Sequence, residues 1–300
     1  MAKSRIAISF EYWALRAFCA LANAIPYPLA LAVARTLGSF AFRVVRFKRA
    51  RTLARIRSVF PEASESEARR IAIRSIQGLL MTAVEMMRAH RIDRAWVERY
   101  VVEAARYKEV LQRVLDEGKG VVIMVPHCGN WYMAAWAMAK LGVRIFAIAA
   151  RQRNPKLNAW MTRQYGEIEV LDRDDPRTLG AIRERLHAGG AFAILPDLRV
   201  RRRDVAVDFL GSQANVSHAG AMFAVRCSSP IVVAMMRREK GKHVFEHLAT
   251  LRPDPTAADK RAEAVCLTRE ALRLMDEAIR RHPGEWYWYN KRWIHEPPTE

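Results

Sequence analysis

The run Val121-Val122-Ile123-Met124-Val125-Pro126-His127-Cys128-Gly129-Asn130-Trp131 decides how the chain is read. Five consecutive apolar residues closed by a proline have the length and composition of a strand covered on both faces. Gly129-Asn130 makes a turn, and Trp131 opens a helical pattern that continues to about Leu141. A strand thus carries a histidine to its carboxyl end beside a helix N-terminus, where open α/β sheets bind their ligands. An imidazole at such a place accepts a proton from an acceptor hydroxyl, while free N–H groups of the helix start favour a developing oxyanion. On spacing alone, a loop histidine satisfied by its neighbours stands level with this reading.

Outward from that run, short apolar stretches alternate with helical ones. Ile145–Ala149, Ile168–Leu171, Ala191–Leu195 and Pro230–Met235 read as further strands, with helices over Pro155–Tyr165, Thr178–His187 and Ser217–Arg226. The alternation predicts an α/β fold with a mixed, largely parallel sheet flanked by helices. Upstream, Ser64-x-x-Glu67 has the form of a capping box opening a helix to about His90. Downstream, a helix over Asp259–Arg281 leads to the aromatic tail Trp286-Tyr287-Trp288-Tyr289.

Composition narrows the function. The 300 residues carry 50 Lys and Arg against 31 Asp and Glu, a net charge of +19. Residues 1–60 hold eleven of the bases and the single acid Glu11, so +10 of the charge sits in one fifth of the chain. Between the bases stand Phe10, Tyr12, Trp13, Phe18, Leu21, Leu29, Leu31, Leu37, Phe40, Phe42 and Phe47. Dense positive charge interleaved with bulky apolar groups suits an anionic membrane surface, whereas a nucleic-acid partner has no stacking motif or basic recognition helix behind it. The uncharged run from Ala17 to Ala34 is broken by Pro26 and Pro28, so residues 1–48 read as an amphipathic helix pair lying in the interface, with residues 49–300 as a single α/β domain. An ordinary buried hairpin is the competing reading of that pair. Four cysteines, Cys19, Cys128, Cys227 and Cys266, lie far apart, which argues against a disulfide framework or a structural zinc site. No metal site and no cofactor is expected.

His127-Cys128-Gly129-Asn130-Trp131, Phe60-Pro61-Glu62, Leu195-Pro196-Asp197 followed by Val207-Asp208-Phe209-Leu210-Gly211, and Glu285-Trp286-Tyr287-Trp288-Tyr289-Asn290-Lys291-Arg292-Trp293 occur in an order that resembles the bacterial late acyltransferases of lipid A and their phosphatidylinositol mannoside acyltransferase relatives. The resemblance spans about residue 30 to residue 293. It implies a glycerolipid-acyltransferase-like fold at the cytoplasmic face of the bacterial inner membrane, peripheral or N-terminally anchored. It also implies that the chain moves a fatty acyl group from acyl carrier protein or coenzyme A to a hydroxyl of a glycolipid or lysolipid, with His127 as general base.

The chain departs from that family where the family places Asp or Glu five residues after the histidine, for Tyr132 stands there. A phenol can orient an imidazole only through a hydrogen bond, and loss of an orienting carboxylate costs on the order of 10⁴ in turnover. Two accounts follow. Either Asp197, leaving the Ala191–Leu195 strand on the same sheet edge, orients His127, or the chain is a catalytically altered homologue that binds acyl carrier or lipid, or assists partner enzymes of a lipid or polyketide-like pathway. Asn130 and the loop arginines Arg199, Arg201 and Arg202 are read as substrate-binding, the arginines for a phosphate of the donor or acceptor, against the plainer reading of a solvated charge run. Asp208 reads as a turn anchor. Cys128 makes a poor nucleophile for His127, since neighbours at a strand end project to opposite sides.

Overall fold

The computed structural model describes residues 5–296; Lys3, counted above in the basic segment, lies outside the described residues. In chain order the helices and strands are α1 (Arg5–Ala24), α2 (Tyr27–Arg43), α3 (Arg49–Val59), α4 (Glu65–Met87), α5 (Arg94–Tyr100), β1 (Val101–Val102), α6 (Ala104–Leu115), β2 (Val121–Met124), α7 (Trp131–Lys140), β3 (Ile145–Ala149), α8 (Pro155–Tyr165), β4 (Glu169–Asp172), α9 (Thr178–His187), β5 (Ala191–Ile194), β6 (Val205–Phe209), β7 (Ser212–Val216), α10 (Ala219–Cys227), β8 (Ile231–Glu239), β9 (Lys242–Leu251) and α11 (Lys260–Arg281).

Seven strands form one sheet in the order β1-β9-β8-β2-β5-β3-β4, and β6 with β7 makes a separate hairpin. Every pair in the large sheet is parallel except β8 with β9. Side chains alternate between its faces, as the pleat requires. Val122 and Met124 join a core with α3, α4, α9, α10 and α11, while Val121 and Ile123 join one with α5, α6, α7 and α8. All four residues of β2 are buried, which explains why this central strand reads as a continuous apolar run. The five apolar runs of the sequence are strands, and the capping box at Ser64 and Glu67 is formed in both directions.

The register of β2 and β5 sets the site. Met124 is level with Ile194 across the parallel pair, so the residues three positions beyond each strand end, His127 and Asp197, leave the sheet side by side. Behind them the tail from Pro283 onward returns across the molecule. Cys128 and Trp286 form an isolated antiparallel bridge, Gly129 N–H donates to the Glu285 carbonyl at 3.0 Å, and Tyr287 N–H donates to the His127 carbonyl at 3.0 Å. Trp286, Trp288 and Tyr289 are fully buried there, so the aromatic tail packs into the core. Ser75 Oγ donates to the Trp286 carbonyl at 2.6 Å and the buried Arg55 to that of Asn290 at 2.6 Å.

The amino-terminal helices are two, parted at Pro26 as the proline spacing predicts. Tyr27, Ala30, Ala34, Gly38 and Phe42 form the buried face of α2, and a Cβ on Gly38 would lie 2.9 Å from the Gln77 Cα of α4. Only glycine permits so close a helix contact. The opposite face is open: Leu29, Val33, Leu37, Phe40 and Val44 recur at helical spacing and are about half exposed, and Ile6, Phe10, Trp13 and Leu21 continue the stripe on α1. Apart from Val102 and Leu179, all exposed large apolar side chains among the described residues fall between Ile6 and Phe47. Among the described residues no helix is long and apolar enough to cross a membrane.

Candidate active site

Asp197 is the fixed point of the site. Its side chain is fully buried. Oδ1 lies 2.7 Å from His127 Nδ1, while Oδ2 accepts the His127 backbone N–H at 2.7 Å and the Trp286 indole N–H at 2.8 Å. Burial pushes the carboxyl up, and the neighbouring His127, with hydrogen bonds from His127 and Trp286, outweighs it and holds the group below the ordinary carboxylate value. An ionised carboxylate accepts only, so the bond assigns the proton to Nδ1 and leaves Nε2 with its lone pair in the neutral ring. The His127 side chain retains 15% exposure and stands edge-on to Trp131, 5.0 Å between centroids.

His127 opens on an apolar cleft of about 500 Å³. Strand residues Ile123, Ile145, Ala147, Ala193 and Val170 floor it, and Ala134, Ala135 and Met138 of α7 wall it. Alanines on both sides leave room for a slender apolar chain. Arg173, Arg199 and Arg292 also line the cleft. Burial lowers the Arg292 guanidinium, and Arg201, Arg173 and Arg199 lower it further, which puts four positive groups in one neighbourhood. A loop charge run makes Arg199 and Arg201 legible in the sequence, whereas Arg173 after β4 and Arg292 in the tail carry no such signal. Arg201 and Arg202 are both exposed and neither lines the cleft.

The remaining sequence expectations meet the structure unevenly. Asn130, expected at substrate, is fully buried and absent from the cleft lining. Its Oδ1 caps α7 by accepting from Tyr132 N–H and Met133 N–H at 3.0 and 3.1 Å, and its Nδ2 donates to Glu85 Oε2 at 2.7 Å. Those two N–H groups of the helix start are engaged by the cap and are not free for an oxyanion. Tyr132 lines the cleft but makes no hydrogen bond to His127; its ring stacks on Trp136 and leans on Trp131 and Tyr165. Burial raises its phenol, against a hydrogen bond with Trp131 that lowers it. Cys128 is fully buried and its thiol is pushed far up by burial and by Asp197, so it holds no reactive thiolate. Asp208 binds Gln213 across the β6–β7 hairpin, as a turn anchor does.

Residues 2–295 match the family described as bacterial lipid A biosynthesis acyltransferase. The chain belongs to that family. It is also similar to the phosphatidylinositol mannoside acyltransferase of Mycolicibacterium smegmatis (strain ATCC 700084 / mc(2)155), 26% identical over 197 residues that cover 61% of this chain and 60% of that protein. The protein of the same description from Mycobacterium tuberculosis (strain ATCC 25618 / H37Rv) is 25% identical over 190 residues, 61% of this chain and 58% of that one. The chain thus spans about three fifths of the length of the curated relatives it matches.

Proposed function

We propose that the protein transfers a fatty acyl group from a thioester of acyl carrier protein or coenzyme A to a hydroxyl of a glycolipid or lysolipid. The observation that carries this reading is the 2.7 Å pair of His127 with the buried Asp197, opening on an apolar cleft beside arginines. In the proposed reaction the acceptor O–H gives its proton to His127 Nε2 as its oxygen adds to the thioester carbonyl. The tetrahedral oxyanion then collapses, an ester remains, and the departing thiolate takes the proton back from the imidazolium. Asp197 holds the ring in the needed tautomer and stabilises its charged form. The apolar cleft holds the acyl chain, and Arg173, Arg199, Arg201 and Arg292 meet a phosphate of donor or acceptor. His127→Ala is expected to lower acyl transfer by about 10²–10⁴ with little change in thermal midpoint; full activity in that variant would exclude the role.

The acceptor reaches the site from a membrane that residues 1–48 engage. Support comes from the exposed stripe on α1 and α2 together with the +10 segment, since each basic group near an anionic surface contributes about 1 kcal/mol. Sedimentation with anionic vesicles should therefore weaken with salt, and Trp13→Ser with Leu37→Ser should weaken it at low salt as well. We assign the protein to the cytoplasmic face of the bacterial inner membrane on this reading. The 2.7 Å contact of Asp197 with the imidazole supports the catalytic reading over that of a catalytically altered homologue.

A further inference from the structure

Outside the cleft, one carboxylate in the apolar stretch of α4 is sealed from solvent. The Glu85 side chain has 1% exposure and meets four donors. Oε1 accepts from Tyr27 Oη at 2.8 Å and is 3.0 Å from His243 Nε2; Oε2 accepts from Asn130 Nδ2 at 2.7 Å and from Arg238 Nη2 at 2.5 Å. Burial raises this carboxyl, yet Arg238 and His243 with their hydrogen bonds hold it well below the ordinary value, so it is ionised.

These contacts converge on two residues. Arg238 Nη2 also donates to Thr82 Oγ1 at 2.9 Å, and that hydroxyl donates to the Gly129 carbonyl at 3.1 Å. The Arg238 backbone N–H donates to Glu285 Oε2 at 3.0 Å, while the Glu285 carbonyl accepts from Gly129 N–H. Both backbone groups of Gly129 and the side chain of Asn130 thus end at Glu85 and its partner Arg238. Gly129 has a φ of +54°, and a Cβ there would lie 2.5 Å from the Met236 carbonyl oxygen, so the turn tolerates little displacement. Apolar residues of similar volume would fill this space at no loss of stability in many proteins, and what an ion pair adds is a direction in space.

We propose that Glu85 is the positioning residue of the catalytic turn: paired with Arg238, it locks Gly129-Asn130, and so fixes both the exit of β2 that bears His127 and the start of α7 that walls the cleft. The proposal rests on His127 being the base, and its test separates the two. Full-length protein carrying Glu85→Gln, Asn130→Ser, both, or His127→Ala is assayed for coenzyme A release from palmitoyl-CoA with lysophosphatidylglycerol. In parallel, carbethoxylation of His127 by diethyl pyrocarbonate is followed by peptide mass across pH. Serine keeps the cap acceptor at position 130 and removes only the donor to Glu85. Each single variant should lower kcat about 10- to 100-fold, the scale of a misaimed reacting group, with KM for palmitoyl-CoA within about twofold. Each should also raise the His127 labelling rate several-fold, and the double variant should be no worse than the singles, because one link is cut twice. Folded Asn130→Ser protein with wild-type kcat and wild-type labelling overturns the proposal even where Glu85→Gln fails to fold. If His127→Ala retains coenzyme A release, or the wild type shows none, the base reading fails, and the labelling rates alone then support or refute Glu85.

Discussion

Among the described residues, three histidines touch a carboxylate through a ring nitrogen at 3.0 Å or less, and their surroundings differ in an instructive way. His243 and Glu85 are both buried, with 1% exposure each. His218 and Asp204, 2.5 Å apart, are both partly open, at 17% and 23%, and neither lines the apolar cleft. His127 and Asp197 combine the two conditions: the carboxylate is sealed and triply hydrogen-bonded, while the imidazole remains reachable. A base needs a partner that water does not screen and a face that substrate can approach. Only the pair at the β2 and β5 exits meets both needs, so a short His–carboxylate distance is by itself no sign of a catalytic site.

The sharpest way to break this contrast is to neutralise each open pair in turn. Asp197→Asn should reduce acyl transfer by about 10⁴, the scale for a lost orienting carboxylate, whereas Asp204→Asn should stay within about twofold of wild type. Equal losses would show that the buried setting of Asp197 confers nothing. Next in size is Tyr132→Glu, which restores the spacing typical of the family but adds a second carboxylate to an apolar wall near the His127–Asp197 pair. Turnover should fall at least about tenfold, while Tyr132→Phe should cost no more than about threefold, because the phenol does not reach the imidazole. A gain with glutamate would reassign the orienting role.

Acid should act on the same pair through stability. Asp197 titrates lower in the folded chain than in the unfolded one, where its value is near 3.8, so on acidification the unfolded state binds its proton first. The stabilisation is therefore complete above about pH 4 and is lost as pH falls through the lower folded value. Urea unfolding of wild type and Asp197→Asn at pH 5 and pH 3 should show the larger drop in wild type; parallel drops would place the acid sensitivity elsewhere. The smallest effect concerns thiols: iodoacetamide should modify the exposed Cys266 and leave Cys128 intact in the folded protein, read by peptide mass.

What the sequence disclosed and withheld follows from the range of the interactions. Strands buried on both faces announce themselves locally, so the exits at His127 and Asp197 were legible as members of one sheet edge. Their adjacency depends on β2 and β5 being neighbours in register, which the order of the runs along the chain does not specify. β9 is not legible as a strand because its residues mix His243 and Phe245 on the buried side with charged neighbours, a pattern unlike the apolar runs beside it. Asn130 looked like a substrate contact because Asn in a turn and Asn as a helix cap have the same sequence signature. Glu85 leaves a local trace, being the lone acid within the apolar stretch Leu79–Met87. Trp286 offered none, since its bond to Asp197 joins positions 89 residues apart.

That last bond gives the site a history. As the chain emerges from the ribosome, β2 and β5 appear first, and His127 and Asp197 can meet before the tail exists. Until Trp286 arrives, Oδ2 lacks its indole donor, and the extended segment that covers the turn from Glu285 to Tyr287 is missing. Until that segment docks, the Asp197 carboxylate stays wet and loosely held, and the His127–Asp197 pair acquires its low-dielectric setting only with the arrival of Trp286.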